Sequence, residues 1–202
     1  MTSNPFVGIA GNIGVGKTTF TKLLAEKYNW DDYYESVIDN PYLSDFYGDM
    51  KRWSFNLQIY FLQHRFASQV EISNNKKGVI QDRTIYEDVE IFARNLHDLG
   101  HMSDRDWETY KNLFSNMVQF LKKPDIIIYL KASTDTLISR IKTRNRDFEK
   151  NINPEYLYQL NNAYNTWAKN EKSLKILTIN TNNFNVFKDK EKLDDIYKLI
   201  ED

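Results

Sequence analysis

Four short apolar runs recur along the chain, separated by amphipathic stretches. They are residues 6–10 (FVGIA), 78–82 (GVIQD), 124–131 (PDIIIYLK) and 174–180 (LKILTIN), and residues 33–37 (YYESV) add a shorter fifth. Continuous rather than alternating apolar character, as from Ile126 to Leu130, predicts strands covered on both faces of a parallel sheet. Phe20, Leu23, Leu24 and Lys27 recur at helical spacing over residues 17–28. Trp53, Leu57 and Phe61 mark an apolar stripe within residues 41–74, which predicts one long helix closed by NNKKG at 74–78. Strands alternating with helices predict an α/β fold with a five-stranded parallel sheet flanked by helices. No repeat, linker or low-complexity tract divides residues 1–202, so a single domain is expected.

Composition narrows the class of partner. Lys and Arg total 27 against 28 Asp and Glu, so no global positive field favours a nucleic acid polymer. The absence of cysteine excludes disulfides and thiolate metal sites. His64, His97 and His101 lack metal-ligand spacing with carboxylates. No apolar stretch approaches the length of a membrane span and residues 1–6 lack a targeting pattern, so a cytoplasmic protein without a membrane partner is expected.

The first apolar run leads into Gly11-Asn12-Ile13-Gly14-Val15-Gly16-Lys17-Thr18, which satisfies G-x-x-x-x-G-K-[ST] between a strand and a helix. Glycines let the backbone curl until successive N–H groups face one oxyanion, and the helix N-terminus adds partial positive charge. Lys17 is positioned to reach the β- and γ-phosphates and Thr18 to give Mg²⁺ a hydroxyl, with Thr19 completing the segment. A nucleotide follows from this motif, but no particular reaction does. GTPases are disfavoured because no N-K-x-D-like segment follows; residues 180–183 read NTNN.

Glu35 at the end of the second strand and Asp82-Arg83 at the end of the third fall where ligands gather in open α/β sheets. Glu35 suits a general base for a hydroxyl, Arg83 a neutraliser of the transferring phosphoryl group, and Asp82 a magnesium carboxylate. A solvated loop acid and a helix N-cap are the alternative readings of Glu35 and Asp82. Arg140, Arg144 and Arg146 follow the fourth strand and form either a lid over ATP or a solvated basic helix end.

Five segments stand in order along the chain, GNIGVGKTT (11–19), ESV (35–37), YGDMKRWSFNLQIYFLQHR (47–65), DRTIYED (82–88) and RIKTRNRDFE (140–149). Together they resemble the deoxyribonucleoside kinase family, the group of deoxycytidine, deoxyguanosine and insect multisubstrate kinases. The resemblance implies a P-loop nucleoside-kinase architecture with a short arginine-rich lid at about residues 144–151, a homodimer, and Mg²⁺ with ATP as donor. It implies ATP-dependent phosphorylation of a deoxyribonucleoside 5′-hydroxyl, giving the monophosphate for nucleotide salvage. Glu35 and Arg83 become the catalytic base and arginine, and Thr18 and Asp82 the magnesium side.

By the same resemblance Gln58 pairs with the nucleobase edge, Tyr47 and Glu149 hold the sugar 3′-hydroxyl, and Phe92 packs on the base. Arg65 lies two helical turns beyond Gln58 on the same face. With Asp88 it matches the pair found in kinases for deoxycytidine and purine deoxynucleosides, so the resemblance implies a purine substrate, deoxyadenosine ahead of deoxyguanosine or deoxycytidine. Two positions depart from the family pattern. Ser36 replaces a proline after the base, and Asp82-Arg83-Thr84 replaces the commoner Glu-Arg-Ser. A monophosphate kinase of the thymidylate kinase type and a non-catalytic interaction subunit of the same fold are the competing readings.

Overall fold

A computed structural model describes residues 4–34, 40–146, 149, 152–186 and 188–201. Strands β1 (Phe6–Gly11), β2 (Asp31–Tyr33), β3 (Val79–Asp82), β4 (Ile126–Lys131) and β5 (Ile176–Asn180) form a wholly parallel sheet in the order β2-β3-β1-β4-β5. The central β1 is buried at every residue, as expected where helices cover both faces. Along β4 the alternation is simple: Ile126, Ile128 and Leu130 join one core, and Ile127 and Tyr129 the other. The first of these cores contains Phe20 and Leu24 of α1 (Lys17–Tyr28), Leu137 of α7 (Thr134–Arg144) and Leu193 and Ile196 of α9 (Lys190–Glu201). The opposite core contains Leu57 and Leu62 of α3 (Met50–Asn74), Tyr110 of α6 (Asp104–Val118) and Leu160 and Tyr164 of α8 (Pro154–Asn170).

Two expected boundaries move. The second strand begins at Asp31 and closes at Tyr33, while residues 35–37 lie outside the described residues. β2 is a sheet edge and pairs on one side alone, with β3, so it tolerates two acidic residues that a central strand would not. The expected helix over 41–74 is two, α2 (Leu43–Gly48) and α3, because Gly48 is a weak helix former and Asp49 caps α3 by accepting from Arg52 N at 3.0 Å.

After β3 the chain runs from α4 (Ile85–Glu87) through a π-helical turn (Asp88–Ala93) into α5 (Arg94–Asp98). Such wide turns concentrate at functional sites, and both Asp88 and Phe92 line the cleft described next.

Candidate active site

The donor loop begins where β1 ends. Gly11, Gly14 and Gly16 have φ of 146°, 83° and 104°, which L side chains rarely adopt. A Cβ on Gly11 would also stand 2.6 Å from the Leu130 carbonyl oxygen, so glycine is required there for space as well as conformation. The Lys17 ammonium, buried, donates to the carbonyls of Gly11 at 2.9 Å and Asn12 at 3.2 Å. Thr18 Oγ1 donates to Asp82 Oδ2 at 2.6 Å. The side chain of Asn12 turns to α8: its amide donates to Leu157 O and Asn161 Oδ1, fastening the loop there.

Two clefts meet at this loop. One is lined by Val15, Gly16, Thr19, Arg140, Thr181 and the segment Phe184, Asn185 and Val186 beyond β5. The other is lined by Ile13, Tyr47, Gln58, Arg83, Asp88, Phe92, Glu149 and Tyr156. Gly14, Lys17, Thr18, Arg144 and Arg146 belong to both, so a ligand in either cleft reaches the same cations. Their linings differ in charge: the first has Arg140 and the loop amides with no carboxylate among the described residues, while the second sets the carboxylates of Asp82, Asp88 and Glu149 beside Arg83.

Asp82 does not cap a helix; Thr84 occupies the N-cap of α4. Asp82 Oδ1 is buried without a hydrogen-bond partner beside the Thr18 hydroxyl contact. Such an orphaned oxygen fits a hard divalent cation, which takes oxygen ligands. Among the described residues no three His, Cys, Asp or Glu side chains form a metal cage. A magnesium ion here would therefore share its oxygens with a nucleotide's phosphates, its usual arrangement.

Arg83 follows Asp82 in the left-handed region, φ 69°, a conformation seldom seen in a side chain this large. Its backbone N–H is held by Ile9 O at 3.0 Å. Its guanidinium donates to Tyr164 Oη at 2.9 Å and lies 4.2 Å from the centre of the Phe92 ring. Phe92 thus supports the arginine as well as forming a cleft wall. Burial pushes the Tyr164 phenol well above its ordinary pKa, so it stays a protonated donor.

On the far wall Gln58, expected on a helix surface if it had no function, is buried, and its Oε1 has no hydrogen-bond partner. Arg65 and Asp88 form a buried pair, with Nε to Oδ2 at 3.0 Å and Nη2 to Oδ1 at 3.4 Å. Arg65 Nη1 also donates to Asp82 O at 3.2 Å, tying this pair to the end of β3. Tyr47 is half-buried against Phe46.

Of the three arginines, Arg140 sits behind the donor loop, donating to Val15 O at 3.0 Å and to Thr181 O. Its first task is therefore to brace loop backbone. Arg144 grips the buried Glu149, with Nε to Oε2 at 3.0 Å, and Arg146 stands 3.7 Å from the same carboxylate. Glu35 lies outside the described residues.

Sequence reasoning missed Glu87, Tyr164 and the 181–186 wall. Glu87 was within reach, because T-x-x-E at 84–87 is a capping-box pattern. Tyr164 carries no local signal.

Comparison with known proteins supplies the family. The sequence model described as "Deoxynucleoside kinase" matches residues 7–202. The chain is 45% identical over 179 residues to the deoxyadenosine kinase of Dictyostelium discoideum, covering 88% of this chain and 73% of that one. It is 37% identical to the deoxyadenosine/deoxycytidine kinase of Bacillus subtilis (strain 168), covering 96% and 90% respectively. Among solved structures, deoxyadenosine kinase from M. mycoides with bound dATP superposes with a TM-score of 0.83 at 31% identity, covering 96% of this chain and 100% of that one. With a strand-borne glycine loop, an Asp-Arg pair at the neighbouring strand end and this overlap in sequence and fold, the chain belongs to the deoxynucleoside kinase family.

Proposed function

We propose that this protein transfers the γ-phosphoryl group of ATP to the 5′-hydroxyl of a deoxyribonucleoside, with deoxyadenosine preferred. The observation that carries the proposal is the meeting of two clefts at Lys17, Thr18, Arg144 and Arg146. ATP takes the cleft behind the donor loop, its phosphates on the loop amides and Lys17. The nucleoside takes the cleft of Gln58, Tyr47 and Asp88. Its oxygen attacks the γ-phosphorus, Glu35 accepts the hydroxyl proton, and the bond to the β-phosphate oxygen breaks to release ADP. Thr18 and Asp82 would hold Mg²⁺, which neutralises phosphate charge when bound with ATP. Arg83 meets the charge on the transferring group, and residues 144–151 close as a lid.

Base preference rests on hydrogen-bond logic. Adenine and cytosine each present an exocyclic amine beside a ring nitrogen acceptor, and a buried amide such as Gln58 answers both atoms with its carbonyl and NH₂. Relatives named for deoxyadenosine, and for deoxyadenosine with deoxycytidine, support that pattern. Asp88 adds an acceptor on the same wall, held in place by Arg65 behind it. A carboxylate at Glu35 beside the acceptor oxygen would repel the phosphate of a nucleoside monophosphate, which favours a neutral hydroxyl.

The test is ATP consumption with each of the four deoxynucleosides and their monophosphates. Turnover with deoxyadenosine above the rest is expected; turnover with a monophosphate alone would reverse the assignment. Replacing both Arg65 and Asp88 by alanine is expected to change the ranking of nucleosides by about tenfold or more while ATP affinity stays within about threefold. An unchanged ranking would remove the pair from base selection.

The proposed setting is cytoplasmic, and the proposed assembly is a homodimer. Among the described residues no helix is long and apolar enough to cross a membrane. Val70 on α3, Leu113 on α6 and Phe120 just beyond it are exposed, with Phe120 at 78%. Sedimentation equilibrium is expected to give twice the 24.0 kDa chain mass, and a monomer at micromolar concentration would contradict it.

A further inference from the structure

Glu87 is fully buried and lines neither cleft, yet three donors from three parts of the site converge on its carboxylate. Oε1 accepts from the Gly11 amide at 3.2 Å and from the Tyr164 hydroxyl at 2.7 Å, and Oε2 accepts from the Thr84 amide at 2.9 Å. The Tyr164 oxygen in turn accepts from Arg83 Nη1, which stands 3.9 Å from Glu87 Oε1. Gly11 is thereby held at both ends, its N–H by Glu87 and its carbonyl by Lys17.

A carboxylate is the side chain this geometry requires. All three partners donate, and a carboxylate is acceptor-only, whereas an amide would turn an NH₂ toward at least one of them. The carboxylate also interacts with Arg83, 3.9 Å away, and with Lys17, two cations that would approach one phosphoryl group. Burial raises the carboxyl's pKa, while Arg83, the Thr84 amide, Lys17 and Tyr164 oppose that rise. The extended backbone of α4's N-cap, Thr84, follows directly on the left-handed Arg83, so the Thr84 bond also pins the residue that carries the guanidinium.

We propose that Glu87 is a positioning residue: through Tyr164 it orients Arg83, and through the Gly11 amide it sets the start of the donor loop, so that both meet the γ-phosphoryl group in one fixed geometry. This rests on the reading of Arg83 and the donor loop given above. Neither Glu87 nor Tyr164 lines either cleft, so removing them should leave both ligands able to bind.

The experiment is a double-mutant cycle on Glu87→Gln and Tyr164→Phe, with kcat, both KM values and the melting temperature measured for each. Glu87→Gln is expected to lower kcat about 10- to 100-fold with KM for ATP and deoxyadenosine within about threefold of wild type, as misplacement of about an ångström does. Tyr164→Phe is expected to lower kcat about tenfold, and the double variant to lose little beyond Glu87→Gln, because the two act through one link. Lower melting temperatures with wild-type kcat, raised KM at unchanged kcat, or losses that simply multiply would each overturn the proposal. If Glu87→Gln does not fold, Tyr164→Phe decides by the same split between kcat and KM. Wild-type protein in the same assay separates the two levels: inactivity on every deoxynucleoside removes the kinase reading, whereas an active wild type with unaffected variants removes only the role of Glu87.

Discussion

Glu35→Gln is expected to lower turnover by about two to four orders of magnitude while ATP binds as before. The substitution keeps size and hydrogen bonding but removes the group that accepts the 5′-hydroxyl proton as that oxygen attacks. Tyr34, its neighbour in sequence, lines the acceptor cleft, which brings the chain to the acceptor side immediately before Glu35. Tyr34 is not among the described residues that line the donor cleft, so nucleotide affinity measured by calorimetry should be unchanged. Turnover within a few-fold of wild type would assign the base elsewhere, and Asp82 would be the next carboxylate to replace.

Arg83→Lys should be nearly as damaging, lowering kcat about a thousandfold, within the range for losing an arginine that stabilises a phosphoryl-transfer transition state. Charge is retained, so the loss comes from shape. The planar guanidinium donates to Tyr164 while its face rests on Phe92, and an ammonium can reproduce neither the fork nor the stacking. The backbone penalty of the left-handed conformation remains in the variant, since lysine has the same Cβ. Single-turnover measurements at saturating ATP would isolate the chemical step. A kcat near wild type would show that Arg83 serves local structure and that Arg144 or Arg146 meets the developing charge.

Much of the fold could be read from the sequence because the buried strands β1, β3 and β4 leave apolar runs, and β5, although the other edge of the sheet, keeps Ile176, Leu177 and Ile179. The second strand could not be placed accurately: an edge strand needs little apolar surface, and Asp31-Asp32 disguises it. Glycine spacing made the donor loop readable, and the seven-residue spacing of Gln58 and Arg65 put both on one helix face. Side-chain direction was less accessible. Nothing local says that Asn12 turns to α8, that Arg140 braces carbonyls, or that Glu149 is already gripped by Arg144, because each depends on contacts with distant elements. Glu87 and Tyr164 are 77 positions apart, a separation at which no periodicity carries information.

The wide turn at Asp88–Ala93 makes the site sensitive to chain length at one place. A π-helical turn holds one residue more than the α-helix on either side can accommodate. Deleting a single residue such as Val89 would let the segment regularise as α-helix, with the residues beyond it keeping their direction. Leu96 would then stay in the core, while the residues inside the turn, Phe92 among them, would shift against Asp88 and Arg83. The wide turn thus separates the shape of the cleft wall from the seating of α5, and a change of length there is expected to act on the first more than on the second.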